Sequence, residues 1–129
     1  MALPLWRRAF ASAVPWMYAG LLAAVVFQVG LAGAGLLSDP KYLGVHRSFV
    51  HVIEGLGILT ILVSFLGADR LAAWTGVGLY LLVGLQYALI RAPGLLVVAH
   101  LLNALLIFTL TLLLLRERMP WPAFAPPAA

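Results

Sequence analysis

The stretch Lys41–Gly67, KYLGVHRSFVHVIEGLGILTILVSFLG, decides how the whole chain is read. It is apolar for longer than the roughly 20 residues a helix needs to cross a bilayer core. It nevertheless carries His46, Arg47, His51 and Glu54. Ionisable side chains are costly in lipid, and their presence there points to a functional site. Three other stretches share this character: 14–37, 71–90 and 94–115, the last with His100 in LLVVAHLLNALLIF.

The composition agrees. The chain of 129 residues is 64% hydrophobic and only 9% charged, with a mean hydropathy of +1.08. A soluble domain carries about 25% charged residues. The sequence therefore predicts an all-α integral membrane protein, a transmembrane antiparallel four-helix bundle. It places one domain at 1–115, followed by a Pro/Ala-rich cytoplasmic tail at 116–129. The tail, with Trp121 and Phe124, is expected to be unstructured or to rest among headgroups. The pI near 10.1 rests on eight basic residues without a basic run, so nucleic acid is not an expected partner. The absence of cysteine excludes disulfides, thiolate metal sites and covalent C-x-x-C-H haem attachment.

Short breaks separate the stretches. Ser38-Asp39-Pro40 reads as an N-cap followed by proline in the first helical turn. Gly67-Ala68-Asp69-Arg70 and Arg91-Ala92-Pro93-Gly94 read as turns. Loops this short make successive helices antiparallel neighbours. Residues 1–12 form an amphiphilic lead-in. Arg7-Arg8 and the later LAGAG are signal-like, but the run from Val14 to Leu37 is too long for a signal core and reads as a retained first helix. Arg7, Arg8, Arg70, Arg116 and Arg118 fall at one end, and Lys41, Arg47 and Arg91 at the other, which favours both termini inside. Gly30, Gly33 and Gly35 on the first helix, and Gly76 and Gly84 with Tyr80 on the third, read as faces for close helix contact. No internal repeat is visible, and the first helix pair does not echo the second.

Depth sorts the polar residues. At 1.5 Å per residue, His46 lies about 9 Å below the outer end of its helix, His51 about 16 Å, His100 about 10 Å and Asn103 about 15 Å. Gln28 lies about 13 Å down, Gln86 about 6 Å and Tyr80 about 15 Å. The outer half thus holds three histidines, two glutamines, an asparagine and a glutamate. The inner half holds Thr60, Ser64, Thr75, Thr109 and Thr111, whose hydroxyls can bond to their own helix. His46 and His51 are about 140° apart around the helix, so only one can face a given point on the bundle axis. The depth match of His46 with His100 suits two imidazoles approaching a b-type haem iron from opposite sides. Arg47, Lys41 and Arg91 could pair with its propionates. His51 with Glu54 would be a supporting hydrogen bond, part of a proton path, or with His100 a divalent-metal set, although no H-E-x-x-H spacing supports the last. Asn103 also reads as interhelical glue.

The motifs His46-Arg47, Gln86 in LYLLVGLQYAL, AHLLNALLIF around His100 and VVFQVGLAGAG around Gln28 together resemble the four-helix half of the haem A synthase family. The resemblance implies haem ligation by His46 and His100. The family's glutamate three residues before the H-R histidine is Leu43 here, and its cysteine pair is missing, which counts against synthase activity. The chain also resembles a group of small bacterial four-helix membrane proteins of unassigned function, through Q-x-x-L-A-G, H-R-x-x-x-H and H-x-x-N-A. The expected function is a membrane b-type haem protein in a bacterial or archaeal cell membrane, transferring electrons or handling haem. Its expected partners are quinol or a redox subunit, with Gln28, Gln86, Asn103, Arg47 and His51 around the cofactor. The alternatives are a cofactor-free accessory subunit and a haem-modifying enzyme.

Overall fold

The computed structural model describes residues 4–91, 93–94 and 98–119. Among them are four helices: α1 (Leu5–Leu37), α2 (Lys41–Leu66), α3 (Arg70–Leu89) and α4 (Val98–Arg118). Each is long and apolar enough to cross a membrane. Packing runs α1 on α2, α2 on α3, α3 on α4 and α4 on α1, so the bundle closes into a ring with α2 and α4 on opposite corners.

Its surface is the reverse of a water-soluble bundle. Thr60, Ser64, Asn103 and Thr111 are buried. Leu36, Leu37, Leu81, Leu101 and Leu105 are exposed. An outer face this apolar fits lipid rather than water. The buried hydroxyls bond back along their helices: Thr60 to the Leu56 carbonyl, Ser64 to that of Thr60 and Thr111 to that of Ile107, each at 2.7 Å. They can therefore sit at helix contacts without an unsatisfied donor.

The turns follow local chemistry. Pro40 itself takes the N-cap position of α2, one residue earlier than the expected first-turn place. The Asp39 carboxylate accepts from the Lys41 N–H at 2.9 Å, and Lys41 Nζ lies 2.8 Å from its other oxygen. This pairing holds the exposed Asp39 carboxyl below its ordinary pKa. At the next turn Ala68 adopts φ 61°. Asp69 then caps α3, accepting from the Ala72 N–H at 2.8 Å. Gly67 is required there, because a Cβ on it would lie 2.8 Å from Ala11 N and 2.9 Å from Ala11 Cα.

Two helix limits differ from expectation. α1 starts at Leu5 rather than near Val14 and carries Pro15 inside it. At 33 residues it is about 50 Å long, well over the bilayer core, so its first turns project beyond the apolar span. α4 continues past Leu115 to Arg118, where Arg116 and Arg118 in the last turn suit the negative end of the helix dipole. The expected tail beyond residue 119 lies outside the described residues.

Candidate functional site

Two glutamines organise the half of the bundle nearer the α1–α2 turn. On α1, Gln28 donates from Nε2 to the His46 backbone carbonyl at 2.9 Å. In return the His46 Nδ1–H donates to the Gln28 carbonyl at 2.9 Å. That bond sets the tautomer and leaves the lone pair on His46 Nε2, 3.4 Å from the Gln28 amide nitrogen. Phe27 and Phe49 pack edge to face on the same α1–α2 seam.

The α3–α4 seam repeats the device. The Gln86 Nε2 donates to the His100 carbonyl at 3.0 Å and to His100 Nδ1 at 2.9 Å, while its Oε1 accepts from the Ala104 N–H at 3.2 Å. Below it, Asn103 Nδ2 donates to the Leu82 carbonyl at 2.8 Å, so Asn103 does bridge two helices. In each half, then, a glutamine on the odd-numbered helix clasps a histidine on the next. Gln28 and His46 are 18 residues apart and Gln86 and His100 only 14, so the echo does not appear as a sequence repeat. The α1–α2 and α3–α4 seams lie on opposite sides of the ring.

His51 stands apart. Its Nδ1 lies 2.8 Å from Glu54 Oε2, and its side chain is 71% exposed on the outside of α2. Arg47 is also exposed, and Lys41 is engaged by Asp39. Among the described residues no group of three histidine or acidic side chains could hold a metal ion. The alternative metal set of His51, Glu54 and His100 is therefore not assembled: His51 faces outward, while His100 is held in the α3–α4 seam.

Of the glycines read as packing sites, Gly35 meets Leu43, and Gly76 meets Ile61 with a Cβ approach of 3.0 Å. Gly30, Gly33 and Gly84 face open space. The opposite end of the bundle contains a cluster that sequence reasoning missed. The buried Tyr18 hydroxyl donates to the Ala72 carbonyl at 2.8 Å and lies 3.0 Å from Thr75 Oγ1. Arg118 Nε lies 3.4 Å from Asp69 Oδ2, and its guanidinium sits over the Tyr18 ring. A cavity of about 690 Å³ there is lined by Ser12, Trp16, Asp69 and Arg118, among others. A second, of about 500 Å³, is lined by Arg7, Phe65, Ala68, Arg70 and Trp74. Neither is lined by a histidine.

The chain belongs to DUF6220, a family of unknown function. The match spans residues 28–93, taking in Gln28, His46, His51 and Gln86 and ending before His100. No curated protein and no solved structure matches the chain. The resemblance to haem A synthase therefore rests on its motifs alone.

Proposed function

We propose that this bundle crosses a cell membrane with both termini inside and binds a b-type haem through His46 and His100. The orientation rests on the positive-inside rule. The observation that carries the haem reading is the paired clasp, which orients one imidazole on each of two opposite seams. Ligating histidines characteristically donate their other ring N–H to a carbonyl, as His46 does to Gln28.

The donor set fits the group, and two amides must yield to it. The Gln28 amide caps His46 Nε2 only at the long limit of a hydrogen bond. His100 Nδ1 accepts from Gln86, which leaves the proton on Nε2. Turning the Gln86 amide over would present its oxygen to Nδ1–H and free the Nε2 lone pair. Arg47, exposed beside His46, would pair with a propionate. Bound haem would supply one-electron chemistry, suiting electron transfer with quinol or a redox subunit, or haem handling. With Leu43 in the place of the synthase glutamate, haem-modifying activity is not part of this reading.

The same clasps favour a second reading, a cofactor-free accessory subunit, because both histidines already have partners within the bundle. A reduced-minus-oxidised visible spectrum of detergent-purified protein after haem supplementation separates the two. Soret and α bands lost in His46→Ala and in His100→Ala support haem. A colourless preparation refutes it, and loss in His51→Ala but not His46→Ala moves the α2 ligand.

A further inference from the structure

The His51–Glu54 pair is unexplained by either reading. It lies ten residues beyond Lys41, about 15 Å along α2, and so near the middle of a bilayer core about 30 Å thick. His51 is exposed at this depth, where the surrounding medium is hydrocarbon. Glu54 sits behind it, three-quarters buried. The buried Tyr87 hydroxyl of α3 faces Glu54. One turn along α2 from His51, Gly55 leaves the helix surface bare: a Cβ there would meet nothing within 4 Å.

We propose that this face binds a membrane-soluble hydroquinone, whose phenolic O–H donates to His51 Nε2 while its ring lies flat against the bare helix surface at Gly55. The Nδ1–H of His51 is committed to the Glu54 carboxylate, so in the uncharged form of the ring the outward Nε2 is an acceptor. Its ligand must bring a donor. Glycerophospholipid headgroups remain at the membrane surface and do not reach this depth. A second copy of the chain packed on this face about a two-fold axis would set acceptor against acceptor. A quinol carries a hydroxyl donor on a flat, apolar ring and diffuses within the lipid. The carboxylate behind the imidazole fixes the ring's orientation, so Nε2 stays aimed outward. This binding does not depend on haem.

The test is an anaerobic titration of full-length, ¹⁵N-histidine-labelled protein in phosphatidylcholine nanodiscs with decylubiquinol, read at the His51 Nε2 resonance. The expected result is a saturable shift at His51, with His46 and His100 unmoved. Gly55→Leu adds a side chain into open space, so it preserves the helix and weakens binding at least tenfold. The di-O-methyl ether of the quinol, which has no O–H, is expected not to shift His51. An equal affinity in Gly55→Leu, an equal response to the ether, or a shift confined to the other histidines overturns the proposal. So does a disulfide-linked dimer of Gly55→Cys in native membranes, which would make the face a contact between copies. Because the readout is His51 rather than a haem band, its failure is distinguishable from failure of the haem reading.

Discussion

Gly67→Ala is a single-methyl change whose cost can be worked from the bundle. The new Cβ would stand 2.8 Å from Ala11 N, 2.9 Å from Ala11 Cα and 3.2 Å from the Phe10 carbonyl carbon. Comfortable contacts are about 3.5–4.0 Å, so the shortfall approaches 1 Å. All three atoms are backbone, and no rotamer change relieves them. Either α1 retreats from the α2–α3 turn or the turn distorts, and Ala68 at φ 61° leaves that turn little slack. Overpacking of this kind costs about 1–3 kcal/mol, and a clash with rigid backbone belongs at the upper end. Gly20→Ala is the control, because its Cβ would meet nothing within 4 Å. There the gain from replacing glycine in mid-helix is about 0.5–1 kcal/mol. Titration with SDS in mixed micelles, followed by far-UV circular dichroism, should separate the two variants by about 3.5–4 kcal/mol. If Gly67→Ala unfolds within about 0.5 kcal/mol of the parent, the spread of ordinary surface substitutions, the close approach of α1 to the turn is wrong.

Other variants probe the remaining contacts. Tyr18→Phe keeps the ring but loses the hydroxyl between Ala72 and Thr75, and is expected to cost about 1 kcal/mol in the same titration. Tyr18→Ala also leaves a cavity and should cost about 3–5 kcal/mol. Asn103→Leu removes the bond to the Leu82 carbonyl at similar volume, and is expected to cost about 0.6 kcal/mol, the average for a hydrogen bond between membrane helices. Asp39 has a lowered pKa in the folded chain, so its contribution to stability is present above the ordinary aspartate pKa and fades as pH falls through the folded value. Lys41→Ala should return the Asp39 pKa upward in an NMR titration of the carboxyl carbon, because the Lys41 side chain is the larger cause of the depression.

The sequence was most legible where a residue has one local role. Pro40 and the run Gly67–Asp69 mark helix ends through backbone chemistry, and the structure puts both ends within a residue or two of expectation. The start of α1 was hidden because apolar length measures a membrane span rather than a helix. Residues 5–13 are helical without being uniformly apolar, and the helix runs on through Pro15. The end of α4 was hidden for the converse reason: Arg116, Glu117 and Arg118 look like the loss of a span, yet they still form helical turns. Within the site, the i, i+3 spacing of His51 and Glu54 and the bridging role of Asn103 were readable. Tyr18 with Thr75, and Asp69 with Arg118, were not, because the pairs are separated by 57 and 49 residues and meet only through the packing of the bundle.

The glutamine clasps show why depth alone could not describe the glutamine–histidine site. Equal depth says that two side chains share a layer, not which seam each occupies. Gln28 and Gln86 add that information by holding the main chain of the next helix as well as approaching its imidazole. A glutamine that only solvated a histidine would have no need to donate to its backbone carbonyl. Bonding to both fixes the helix and the ring together, so the same residue that stabilises the seam also controls access to the ring nitrogen. Loss of either glutamine should therefore alter seam stability and histidine reactivity in the same variant, whereas a change at His51, on the outer face, should leave both seams intact.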